Sequence, residues 1–143
     1  NYNEAREILC NTPLSMPALF TLSGLEENES CLIERTEDEV CVHEGKGAVS
    51  NHWLRLNRNN IHLSPNSQER LNQMNNVLDI SPNNFDWVTP PILNTDTRLS
   101  VMANARTGSL EVLGWGKDGK GAVPATKVFS RASKKQTKYL FDS

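Results

Sequence analysis

The chain has no apolar run approaching the length of a membrane-spanning helix. Its N-terminal stretch also lacks the charged, apolar and small-residue order of a secretory signal. Cysteine is scarce: Cys10, Cys31 and Cys41 are odd in number and show no C-x-x-C spacing. That excludes a disulfide framework and the usual structural zinc site. No G-x-S-x-G elbow is present, so the usual signature of a serine hydrolase is missing. No internal repeat is found, and no membrane span, cofactor or metal is expected. The three histidines, His43, His52 and His62, form no i, i+4 pair beside a glutamate.

What remains is a chain of 143 residues, 37% hydrophobic, which fits one domain or a large piece of one. Net charge is only -2, but residues 1–50 carry ten acidic and three basic side chains, while residues 117–143 carry seven basic and two acidic. The overall balance is acidic, so the basic tail reads as a solvated segment rather than a nucleic-acid surface. Asn28-Glu29-Ser30 forms a single glycosylation sequon.

A first helix is predicted near the start, with Asn3 as cap, Ala5, Ile8 and Leu9 on one face, and Pro13 beyond its end. A strand is predicted over Ala18–Leu22, before Ser23-Gly24. The runs Cys31-Leu32-Ile33 and Val40-Cys41-Val42 flank a charged turn and predict a hairpin, with both cysteines as small buried residues. A second helix is predicted to open near Ser64-Pro65, with Leu71, Met74, Val77 and Leu78 at helical spacing. Residues 81–96 read as loop. A second hairpin follows, in which Leu99, Val101 and Ala103 alternate, Arg106-Thr107-Gly108 turns, and Leu110 and Val112 return. Gly114 to Gly119 matches G-x-G-x-x-G, but no helix start follows. The glycines therefore read as a strand end leading into a loop, and the segment from Gly116 onward shows no period. Strands with interspersed helices give an α+β class.

Two polar elements stand out. Ser50-Asn51-His52-Trp53 follows the apolar step Ala48-Val49, so Asn51 is expected to emerge at the end of a strand. An asparagine amide there can donate to a developing oxyanion, although an Asn-His pair also serves as plain turn chemistry. Arg70 is predicted at the edge of the core face of the second helix. It either snorkels or holds a carboxylate or a thiol.

The order of these elements resembles a known group. Phe20-Thr21-Leu22-Ser23-Gly24 and Glu29-Ser30-Cys31-Leu32-Ile33-Glu34-Arg35 resemble a strand, turn and Ile-x-Arg strand of acid ceramidases and their bacterial relatives. Ser50-Asn51-His52-Trp53 resembles the Thr-Asn-(His or Tyr) element of the penicillin acyltransferase and choloylglycine hydrolase families, with serine in place of threonine. Ser67-Gln68-Glu69-Arg70-Leu71 resembles their Ser-x-x-Arg helix start, and the hairpin Val101–Val112 their late hairpin.

The resemblance implies an N-terminal-nucleophile hydrolase with an α-β-β-α sandwich of antiparallel sheets, here as the C-terminal portion of a single domain, residues 1–143. It implies hydrolysis of linear amide C–N bonds of N-acyl amides by an N-terminal cysteine. Asn51 matches the oxyanion-hole asparagine and Arg70 an arginine that supports the active site, with His52 and Trp53 beside the substrate. Cys10, Cys31 and Cys41 all fall in segments that the family places after its nucleophile. The nucleophile is therefore expected upstream or on a processed partner chain, and an oligomer is compatible with this. A rival expectation is a catalytically inactive, stand-alone domain with an interaction or structural role.

Overall fold

An asparagine opens the first element of the computed structural model, which describes residues 1–56, 66–78, 80, 82–118 and 121–131. The helix α1 (Tyr2–Asn11) is capped by Asn1 rather than by Asn3. The Asn1 side chain accepts the Glu4 N–H at 2.9 Å, and the Glu4 side chain reaches back to the cap backbone. This reciprocal box satisfies two orphan N–H groups, and only Asn1 has a glutamate at the required spacing.

The chain divides into two compact units, Asn1–Asn94 and Thr95–Ser143. In the first, β1 (Ala18–Ser23), β2 (Ser30–Arg35) and β3 (Val40–Glu44) form an antiparallel sheet with β2 at its centre. The predicted strand at Ala18–Leu22 and the hairpin over residues 31–42 are both present, with Cys31 opposite Glu44 and Glu34 opposite Cys41. Thr36 holds the hairpin turn, its Oγ1 accepting the N–H groups of Asp38 and Glu39. Cys31 is buried, whereas Cys41, on the edge strand, is only half-buried.

Every residue from Cys31 to Arg35 is buried, so β2 is covered on both faces. Side chains alternate along a strand, which sends Arg35 and Glu34 in opposite directions. Arg35 caps α1 from below. Its guanidinium donates to the carbonyl oxygens of Leu9 and Thr12, the latter at 3.0 Å. A cation at a helix C-terminus satisfies orphan carbonyls and complements the macrodipole. On the other face, Glu34 accepts the backbone N–H groups of Leu54, Arg55 and Leu56. The segment after Trp53 is thereby strapped across the sheet. Gly47 packs against the same strand, where a side chain would meet Leu32 Cδ1 at 2.7 Å.

The helix α2 (Ser67–Val77) starts after Asn66, which adopts φ 63° and ψ 16°. The expected start at Ser64-Pro65, like His62, lies outside the described residues. Leu71 is its buried apolar anchor.

The second unit is built around a long strand. The hairpin of β4 (Leu99–Asn104) and β5 (Ser109–Asp118) is antiparallel, as the alternation predicts, with Val101 opposite Val112. Asn104 Oδ1 accepts the Thr107 N–H at 3.0 Å, and Gly108 supplies the left-handed φ of 65° that closes the turn. The first half of β5 also pairs with β7 (Phe129–Arg131), and its second half with β6 (Gly121–Pro124). Two expectations are corrected here. Gly114 and Gly116 lie inside β5 rather than in a loop, and strands occur beyond Gly116. Thr126 Cγ2 sits 2.9 Å from where a Cβ on Gly114 would be, and the Ala125 Cβ lies 3.2 Å from that of Gly116. The glycines admit a close backbone crossing. Strands as short as β6 and β7 carry too few residues to show a period.

One face of this sheet is buried. Ser100, Leu113 and Trp115 lie on it, and the Trp115 indole N–H donates to Ser100 Oγ at 2.8 Å. Leu99, Val101 and Phe129 occupy the opposite face and remain exposed. Both units are antiparallel, and the fold class is α+β. Among the described residues no helix is long and apolar enough to cross a membrane.

Candidate functional site

The residues singled out in the sequence converge on one cavity of about 700 Å³ in the first unit. Residues 49–53 form one wall, α2 another, and the start of β1 with Met16 and Pro17 a third. Asn51, His52, Trp53 and Arg70 all line it. Residues 45–49 form no strand, so Asn51 emerges from an irregular strap rather than from a strand end. The Glu34 carboxylate, gripping the three N–H groups that follow Trp53, fixes that strap in place of a ladder.

Asn51 and Arg70 are 19 positions apart in sequence and meet directly. Arg70 Nη2 donates to Asn51 Oδ1 at 2.7 Å. Arginine can only donate, so its partner on the amide must be the oxygen. The contact therefore fixes the orientation of the amide and leaves Nδ2, with two N–H donors, as its free end among the described residues. The helix brings Arg70 to this position because Ser67, Arg70 and Met74 recur at helical spacing on one face, and the last two line the cavity together.

Ser67 ties the strap to the helix. Its hydroxyl donates to Ser50 Oγ at 3.0 Å, and its oxygen lies 2.7 Å from His52 Nδ1. With the serine proton directed to Ser50, His52 Nδ1 is the donor of that pair. Trp53 turns its ring toward the cavity, and its indole N–H is buried with no acceptor among the described residues. Met16, Leu19, Met74 and Ile92 give the remaining lining an apolar character.

Glu34 is fully buried beneath this wall. Burial pushes its carboxyl up, but the N–H groups of Leu56 and Leu54, His43 and the Arg55 N–H outweigh that. The net result lies below the ordinary carboxylate range. Sequence reasoning meets Glu34 and Ser67 only as members of motifs and gives neither them nor the apolar lining a role. The i, i+3, i+7 relation of Ser67, Arg70 and Met74 is a usable signal, whereas nothing local in the sequence marks Glu34 as a clamp.

Comparison with protein-family models, with curated proteins and with solved structures returned no match to this chain.

Proposed function

We propose that this chain is the distal portion of an amidohydrolase of the N-terminal-nucleophile type, similar to choloylglycine hydrolases, acid ceramidases and penicillin acyltransferases. It acts on the linear amide C–N bond of N-acyl amides. The cysteine nucleophile is carried upstream or on a processed partner chain, and the antiparallel sheets belong to the α-β-β-α sandwich of that group. The observation that carries this reading is the Arg70–Asn51 bond, which presents the asparagine amide as a fixed donor at the wall of an apolar cavity.

In the reaction, the thiolate adds to the amide carbonyl and the carbonyl oxygen becomes an oxyanion. The C–N bond then breaks, the amine leaves with a proton, and water hydrolyses the thioester through a second oxyanion. Asn51 Nδ2 donates to the oxyanion in both halves. Arg70 does not touch the reacting atoms in this scheme; it orients Asn51 by holding Oδ1, and its charge polarises the amide further. The apolar lining accommodates the acyl chain, with His52 and Trp53 beside the scissile bond. No cofactor is required.

Asn51→Leu in the complete enzyme tests the assignment. Leucine is close in size but cannot donate, and removing one such donor costs roughly a hundredfold or more in kcat with KM little changed. The thermal midpoint should stay near that of the parent. Near-normal turnover per folded molecule would defeat the reading. A loss of stability with kcat retained would mark Asn51 as a turn residue instead.

A further inference from the structure

The hairpin β2–β3 brings together three side chains of different chemistry, two of which take no part in the cavity wall or its clamp. Cys41 and His43 alternate on β3 and therefore share a face, and Glu34 stands directly opposite Cys41 on β2. Cys41 Sγ lies 3.7 Å from His43 Nε2, and His43 Nε2 lies 3.4 Å from Glu34 Oε2. The three donor atoms all fall within 4.8 Å of one another. We infer that Glu34, Cys41 and His43 form a binding site for a single zinc-like divalent cation, with its fourth position open to solvent.

The spacing supports this directly. Bonds of about 2.3 Å to sulfur and about 2.0 Å to nitrogen or oxygen, at tetrahedral angles, put sulfur and nitrogen about 3.5 Å apart and nitrogen and oxygen about 3.3 Å apart. The observed separations match both edges closely, and the third, sulfur to oxygen, lies within 4.8 Å, so a cation fits once thiol and carboxylate draw together. A thiolate and an imidazole select a borderline ion over magnesium or calcium, and one thiolate with one carboxylate neutralises its double charge.

Glu34 is suited to the role by what already holds it. A carboxylate offers roughly four acceptor positions. Three backbone N–H groups, from Leu54, Arg55 and Leu56, use its oxygens and fix its orientation. The Arg55 N–H is shared between Oε1 at 3.3 Å and Oε2 at 3.0 Å, so a cation at Oε2, the oxygen nearest His43, would displace one half of that shared bond while Oε1 keeps the other. Such outer contacts are how proteins orient metal-binding carboxylates. Access is provided by the edge strand, since Cys41 and His43 are both half-buried. The sequence conceals the site because its members belong to two strands, with no ligand pair at a familiar spacing.

The cation would act structurally. Glu34 links the hairpin to the strap that continues from Asn51, His52 and Trp53, so the metal would stiffen the base of the cavity wall. The inference stands without the amidase reading.

The test uses the purified chain, stripped with a chelator and titrated with Co²⁺ alone. One equivalent should produce the strong visible bands of tetrahedral cobalt and a thiolate charge-transfer band, both lost on adding Zn²⁺. Cys41→Ser should abolish the charge-transfer band, and Cys10→Ser should leave it intact. A second measurement needs no variant. Zn²⁺ should slow alkylation of Cys41 by about tenfold or more, because the coordinated sulfur is no longer a free thiolate, while leaving Cys10 unchanged. Absence of the tetrahedral bands, a charge-transfer band that survives Cys41→Ser, or equal alkylation of Cys41 with and without Zn²⁺ would each overturn the site.

Discussion

The hairpins β2–β3 and β4–β5 share an antiparallel register but hold themselves together by different means. In the first, β2 is buried on both faces, and its polar side chains are fully engaged: Glu34 by three amides and Arg35 by two carbonyls. In the second, β4 turns Ser100 to the buried face and leaves Leu99 and Val101 exposed. An internal polar bond, from Trp115 to Ser100, orders that buried face. The contrast shows where each hairpin is vulnerable. The first depends on charges that cannot lose their partners, the second on apolar area with one hydrogen bond to satisfy. It also explains why the candidate cavity belongs to the first unit. Charged clamps can hold an irregular strap, and that strap offers Asn51, His52 and Trp53 to the cavity.

Breaking the clamp should have the largest effect. Glu34→Gln sets an amide NH₂ among N–H donors and removes a buried charge that all of them share. The expected loss is about 3 kcal/mol, read by chemical denaturation in chelator-treated buffer so that no cation contributes. The pH dependence has a definite sign. The folded state holds the Glu34 carboxyl below the ordinary range, so the unfolded chain takes up this proton first. Its contribution is complete above the ordinary glutamate range and disappears as pH falls through the folded value. The glutamine variant should lose this part of the acid sensitivity, and identical acid profiles would contradict the clamp.

The corresponding change in the second unit should cost less. Ser100→Ala leaves the buried Trp115 N–H without its acceptor, at about 2 kcal/mol. Thermal melting together with the tryptophan near-ultraviolet dichroism would measure it. A neutral result would show that the indole finds another partner. Smallest of all is the expected effect of Val101→Lys. On an exposed strand face it should stay within about 0.5 kcal/mol. A loss several times larger, or dissociation seen by sedimentation, would show that this apolar face is covered in solution and would narrow the difference between the hairpins.

Much of the framework is legible in the sequence. Alternation at Leu99, Val101 and Ala103 and the turn glycine Gly108 give the second hairpin, and the β-rich runs around Cys31 and Cys41 give the first. Asn51 and Arg70 stand out as residues, but their meeting does not. A separation of 19 positions carries no local signal of the distance between them, and tertiary packing decides it. Glu34 is less legible still. A glutamate in a strand ordinarily faces water, and its burial here depends on three amides supplied from another segment. At the first helix, Asn3 looks equivalent to Asn1 as a cap until the glutamate three positions on is weighed.

The opposed charges of β2 also discriminate between alternative pairings. If the strand slipped by one residue against its neighbours, Glu34 and Arg35 would exchange faces. The guanidinium, which can only donate, would then confront the N–H groups of residues 54–56. The carboxylate, which can only accept, would confront the carbonyl oxygens of Leu9 and Thr12. Both would be left unmatched in the interior, where an uncompensated charge is far more costly than a misplaced methyl group. Adjacent acid and base thus act as a two-sided key, rejecting a mispaired sheet that the apolar residues Leu32 and Ile33 alone would tolerate.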